Sequence, residues 1–247
     1  MRITVQNKGG GRKCLIAGYG DGGAIPMRTS DGEGMKPYYE DSAVTIYHGD
    51  CRDILPQLPK LDLVLTDPDY NADAIVYESE VSKMSEVEYK QWCQDWFALV
   101  MFNTPKLVFT PGIQNMWNYP KPRWIVIWYK SASPCKSGVG GFNVWEPIYI
   151  YGPVICRFGH DLLNYQPLNF GTAEWDREHP CPKQYHLWKE LVYRTSKENE
   201  TILDPFMGSG TTLRAAKDLG RKAIGIEIEE RYCEIAAKRM SQMVLSL

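Results

Sequence analysis

The chain has 247 residues, with 28 Lys+Arg against 30 Asp+Glu, a formal net charge of -2 and 44% hydrophobic residues. That balance excludes a strongly basic, histone-like binder, while the composition is that of a globular protein with ample material for a core. With no apolar run near the roughly 18 residues that cross a bilayer, and no basic-then-apolar leader at the start, the expectation is a soluble, unexported, cytoplasmic protein.

Residues 1–34 are glycine-rich and weakly apolar, and they read as a flexible N-terminal arm with little structure of its own. Gly18-x-Gly20-x-x-Gly23 has the spelling of a nucleotide-binding turn, but Ala24-Ile25-Pro26 cannot supply the helix that such a turn must open. Residues 35–247 read as the folded domain. From Val44 onward, short β-branched or aromatic runs alternate with helical ones: Val44 to Tyr47, Leu61 to Thr66, Leu107 to Thr110, Trp124 to Tyr129, Pro147 to Tyr151, Thr201 to Leu203 and Lys222 to Ile228.

Between the second and third runs, Val87, Trp92, Trp96, Leu99 and Val100 recur at helical spacing behind Ser85-x-x-Glu88, the spelling of a capping box. Two further helices are expected, Thr211 to Leu219 stopped by Gly220, and Glu229 to about Val244. Strands alternating with helices predict an α/β, doubly wound, mostly parallel seven-stranded sheet. The stretch from Pro153 to Gln184 holds four prolines and few periodic apolar positions, and it reads as an irregular insertion. The seven cysteines are scattered without a C-x-x-C pair, which points to reduced thiols, and no cluster has the spacing of a metal site.

Two constellations carry chemistry. In Thr201-Ile-Leu-Asp-Pro-Phe-Met-Gly-Ser-Gly-Thr-Thr212, a strand runs into Phe206-x-Gly208-x-Gly210 and directly on into a helix. Glycines there let a ligand approach the backbone, and the helix start offers free N–H groups. Glu227 ends the next strand, seventeen residues beyond Gly210, where a carboxylate can accept both hydroxyls of a ribose. The second constellation, Leu61-Asp-Leu-Val-Leu-Thr-Asp-Pro-Asp-Tyr70, is an apolar strand that ends abruptly on polar residues.

Together these motifs resemble the S-adenosylmethionine-dependent DNA amino-methyltransferases, whose signatures are Asp-Pro-Pro-Tyr and Phe-x-Gly-x-Gly. The tetrapeptide precedes the glycine loop, an order similar to the family's beta class, and His48-Gly49-Asp50-Cys51 and His179-Pro180-x-x-Lys183 fall where that order wants them. The resemblance implies the seven-stranded class I methyltransferase fold, S-adenosylmethionine as cofactor, double-stranded DNA as partner and N6 of a flipped adenine as target. Asp67 and the Pro68 carbonyl would accept the two hydrogens of the base amine, so that its lone pair points at the methyl group, and Tyr70 would stack on the base. It also implies cofactor contacts for Asp50 (adenine), Lys183 (carboxylate), Asp67 or the backbone near Phe206 (ammonium), Gly208, Ser209, Gly210, Thr211 and Glu227. Asp204 stays open between a cofactor-facing and a strand-end role. Beta-class relatives are often homodimers, and residues 153–178 occupy the place of their target-recognition region.

One residue departs from the signature: Asp69 stands where the family has its second proline. The change frees φ and sets a second carboxylate near Asp67, so a catalytically weakened, cofactor-binding DNA-associated protein is the competing reading. N4 of cytosine is an alternative target. RNA or protein-glutamine methylation is a third, disfavoured because position 67 is Asp rather than Asn. Between Gly112 and Tyr185, Lys121, Arg123, Lys130, Lys136, Arg157, Arg177 and Lys183 face five acidic residues, a mild lean toward phosphate. Trp117, Tyr119, Trp145 and Tyr165 are among the aromatics there that read either as core or as stacking residues.

Overall fold

Strands buried on both faces should read as continuous apolar runs, and Leu63-Val64-Leu65-Thr66 is such a run, with all four residues buried. The computed structural model describes residues 2–8, 11–17, 25–26, 35–71, 81–130, 140–153, 159–166 and 183–242. Among them, Arg2–Lys8 (β1), Gly11–Ala17 (β2) and Ile25–Pro26 (β3) form a separate antiparallel sheet. This departs from the expectation of little structure in the arm: β1 and β2 pair in a continuous ladder from Arg2 opposite Ala17 to Lys8 opposite Gly11. The Gly18-x-Gly20-x-x-Gly23 segment lies outside the described residues.

The remaining strands are Tyr39–Glu40 (β4), Val44–His48 (β5), Leu63–Thr66 (β6), Leu107–Phe109 (β7), Trp124–Tyr129 (β8), Trp145–Tyr151 (β9), Leu162–Asn164 (β10), Thr201–Asp204 (β11) and Lys222–Glu227 (β12). They make one sheet in the order β10-β8-β9-β7-β6-β11-β12-β5-β4. All seven expected strands are present, and the short β4 and β10 extend the two edges. The run from β5 through β7 is parallel, while β9 is antiparallel to both its neighbours.

The period-two alternation of strands sorts side chains to two cores. Leu63, Leu65, Val108 and Ile202 face one side, against the helices Tyr185–Thr195 (α3), Thr211–Asp218 (α4) and Glu230–Ser241 (α5). Val64, Leu107, Phe109 and Leu203 face the other, against Cys51–Ile54 (α1) and Glu86–Asn103 (α2). The capping box of α2 forms as its spelling predicts: Ser85 accepts from the Glu88 N–H, and the Ser85 N–H donates to Glu88 at 2.8 Å. Helix α3 is an addition to the expected elements. Its signal is the apolar stripe Leu187, Trp188, Leu191 and Val192, all buried, which begins directly after the proline-rich insertion. No helix among the described residues is long and apolar enough to cross a membrane.

Because β6 and β11 pair in parallel, with Ile202 opposite Leu63 and Leu203 opposite Val64, the two motif-bearing strands end side by side at one edge of the sheet.

Candidate active site at the carboxyl edge of the sheet

The chain turns sharply after β11, and Gly210 takes φ 79°, a left-handed conformation that favours glycine. A Cβ there would stand 3.1 Å from that of Ala236. Helix α4 begins at the next residue with no side-chain cap, so its first N–H groups remain available to a polar ligand. Ser209, Gly210 and Thr211 are buried in this turn, while Phe206 and Gly208 are partly exposed. The Phe206 ring lies 5.4 Å from both Trp92 and Trp96 of α2.

Glu227 closes the next strand. One of its oxygens accepts from the Gly208 N–H and the other from the Glu229 N–H, each at 2.9 Å. Burial raises its carboxyl to about 7; the Asp69 charge adds to the rise, and the backbone donors oppose it.

Asp67 follows β6 directly. It accepts from the Tyr70 hydroxyl at 2.6 Å and from the Thr110 hydroxyl, and it pairs with Lys183, which stands just ahead of α3. Tyr70 also donates to the Thr110 carbonyl at 3.1 Å, and its ring lies against Gly112, where an added Cβ would come within 3.3 Å. Lys183 Nζ stands 5.9 Å from the centroid of the same ring. Burial lowers the Lys183 ammonium to about 8, with Asp204 acting in the opposite sense. Pro68 is buried.

The structure therefore brings Asp67, Pro68, Tyr70 and Lys183 together, beside the Phe206–Thr211 turn and Glu227. Asp50 lies at the same edge, next to Gly49, whose N–H donates to the Glu227 carbonyl at 2.9 Å; it caps α1 and is engaged by Arg52 at 2.6 Å, so an adenine amine reaching it would share the carboxylate with that guanidinium. Burial would raise Asp50, but the Arg52 guanidinium and backbone N–H outweigh it and leave the group lowered. His179 and Pro180, and most of the 153–178 insertion, lie outside the described residues.

Asp204 resolves toward the strand-end role. Buried at 3% exposure, it accepts from Thr66 Oγ1 at 2.6 Å, Thr212 Oγ1 at 2.5 Å and the Phe206 N–H at 3.1 Å, pinning the two strand ends to each other. As a residue Asp69 is exposed; its carboxyl is raised by desolvation and by Glu229, on the side of Glu227.

Three features escaped the sequence. Thr110 braces both Asp67 and Tyr70, and Tyr89 donates to the Asp69 carbonyl at 2.9 Å. Lys130, 4% exposed, pairs with Glu146, whose charge is felt at Tyr70. Of the aromatics with two readings, Tyr119 is core, whereas Trp117 is 83% exposed.

The donor set fits the cofactor that the motifs imply: a carboxylate for a diol, an ammonium for a carboxylate, and an open helix start between them. A mostly parallel sheet with one internal antiparallel strand, β9, and a short antiparallel edge strand, β4, has the architecture of the class I methyltransferase fold. Residues 110–238, just over half of the chain, match the DNA methylase family N6_N4_Mtase. Among curated relatives, the type II methyltransferase M.ScaI of Streptomyces caespitosus is 27% identical over 266 residues, covering 86% of each chain. M.HinfI of Haemophilus influenzae is 28% identical over 258 residues, covering 85% of this chain and 71% of that one. Among solved structures, the PvuII DNA methyltransferase, titled cytosine-N4-specific, superposes with a TM-score of 0.68 at 19% identity, over 86% of this chain and 92% of that one, a likeness of fold. The chain belongs to the N6-adenine/N4-cytosine family of S-adenosylmethionine-dependent DNA amino-methyltransferases.

Proposed function

We propose that this chain methylates the exocyclic N6 amine of an adenine flipped out of double-stranded DNA. The observation that carries the reading is the convergence of Asp67, Tyr70 and Lys183 beside the glycine turn. An exocyclic amine is a poor nucleophile because its lone pair is delocalised into the ring. Asp67 and the Pro68 carbonyl accept its two hydrogens and turn that pair out of the ring plane, while Tyr70 supplies a face for the extruded base. Stacking of about 1–3 kcal/mol per base offsets part of the unstacking cost. S-adenosylmethionine, when bound, supplies the electrophilic methyl group. Glu227 takes the ribose hydroxyls, Lys183 the carboxylate, Asp67 or the backbone near Phe206 the ammonium, and Asp50 the adenine end. Asp at position 67 favours adenine over cytosine.

Tyr70, Thr110 and Lys183 engage the oxygens of Asp67. An incoming amine displaces at least one of them. Residues 153–178 serve target recognition, and relatives that are type II methyltransferases suggest a place in a restriction-modification system.

The test is incubation with unmethylated genomic DNA and methyl-tritiated S-adenosylmethionine, followed by digestion and identification of the labelled nucleoside. Label in N6-methyldeoxyadenosine is expected. Label in N4-methyldeoxycytidine would move the target to cytosine. Binding of the cofactor without transfer, restored by Asp69→Pro, would make the chain the weakened binding protein.

A further inference from the structure

We propose that Tyr89, in the first turn of α2, is a positioning residue that holds the catalytic loop in place of the constraint lost with a proline at position 69. The inference rests on Asp67-Pro68-Asp69-Tyr70 being the base-binding loop. A proline would lock φ of residue 69 near -65°, whereas aspartate leaves that torsion free and the loop with more conformations to lose.

Tyr89 supplies the missing restraint from outside the loop. Its hydroxyl donates to the Asp69 carbonyl at 2.9 Å, and its ring, 2% exposed, stacks on Trp92 at 5.7 Å and 20°. Trp92 packs in turn on Phe206, so the clamp is seated between the two motifs. The register of Tyr89 is set by the capping box four residues earlier, which fixes where α2 begins. Just ahead of that cap, Met84 offers its carbonyl to Asn71 Nδ2 at 2.7 Å. The capped end of α2 therefore grips the loop at 69 and again at 71, on either side of Tyr70. A buried tyrosine hydroxyl needs partners, and here they include the backbone carbonyl of the one residue at which the tetrapeptide departs from its signature, together with the Asn71 backbone and Cys93. Fixing that carbonyl fixes the angle at which Tyr70 and Asp67 meet the base, where a misplacement of about 1 Å can cost about 100-fold in rate.

The test is a double-mutant cycle of native protein, Tyr89→Phe, Asp69→Pro and the double variant. Single-turnover methyl transfer to unmethylated DNA is read at saturating cofactor, alongside the cofactor Kd and the melting temperature. Tyr89→Phe is expected to slow transfer about 10-fold while changing Kd by less than about twofold, and to cost less than about threefold in the Asp69→Pro background. Equal losses in both backgrounds, or no loss in the native one, overturn the proposal. Hydrogen exchange at the amide of Tyr70 reads the clamp without any reaction: it is expected to quicken in Tyr89→Phe and to return toward native in the double variant. A native protein that transfers no methyl group, with exchange quickened in Tyr89→Phe, defeats the activity and leaves the clamp standing. Unchanged exchange in an active protein defeats the clamp.

Discussion

The backbone N–H of Gly208 donates to a carboxylate oxygen of Glu227 over 2.9 Å, tying the turn after β11 to the last residue of β12. The second oxygen is held by the Glu229 N–H at the same distance, so the acid is oriented before any ligand arrives. Glu227→Gln keeps the shape but loses the charge and one acceptor. It is expected to weaken cofactor binding about 10- to 100-fold, from the roughly 1.5–3 kcal/mol of a charge-assisted hydrogen bond. Calorimetric titration with S-adenosylmethionine checks it.

Cofactor affinity should peak in a narrow pH window. Capture as proposed needs Glu227 ionised and Lys183 protonated; burial has raised the first to about 7 and lowered the second to about 8. Affinity therefore strengthens as pH rises through about 7 and weakens as it rises through about 8. Asp69→Asn removes a charge that helps hold Glu227 up, so the acid limb moves to lower pH while the alkaline limb stays. Binding titrations from about pH 4 to about pH 11 span the unperturbed carboxylate and ammonium values of about 4.3 and about 10.4 and resolve both limbs.

Thr110 acts through Asp67. Thr110→Val removes the hydroxyl donated to the carboxylate and is expected to slow methyl transfer about 10-fold, whereas Thr110→Ser, which retains the donor, stays within about twofold of native. Asp67→Ala removes the acceptor itself and is expected to cost about 10²- to 10³-fold in single-turnover rate. Rates at saturating DNA distinguish these from losses of affinity.

Asp204 belongs to stability. Its replacement by Ala leaves the hydroxyls of Thr66 and Thr212 and the Phe206 N–H without their buried acceptor. The expected cost is about 3 kcal/mol, a fall in Tm of roughly 6–12 °C for a chain of this size. Thermal melts of native protein and Asp204→Ala measure it, with Asp204→Asn, which keeps one acceptor oxygen, falling between.

The parts legible in the sequence were those whose cause is local. Leu63–Thr66 reads as a strand because both its faces are buried, α2 because Ser85 and Glu88 cap each other, and the Gly208–Glu227 relationship because a strand, a turn and a helix fix the spacing. Thr110 and Tyr89 gave no sign: a threonine after a strand and a tyrosine in a helix are ordinary, and Thr110 lies 43 residues from the aspartate it braces. Asp50 shows the converse, a position singled out by its neighbours whose carboxylate is engaged by Arg52, two residues on. The insertion hid α3 because prolines and aromatics run up to its first turn, so its apolar stripe begins without a clean start signal.

Consecutive in sequence, β5 and β6 are not neighbours in the sheet: β12 and β11, the last strands made, lie between them. A chain still on the ribosome thus holds the complete Asp67–Tyr70 tetrapeptide on a strand with one flank bare, and the gap closes only when residues 201–227 arrive and slide in from the far end of the sequence. Such ordering has high contact order and is slow to complete. It also means that synthesis interrupted before Glu227 leaves two unpaired strand edges, a template for aggregation rather than a half-working enzyme.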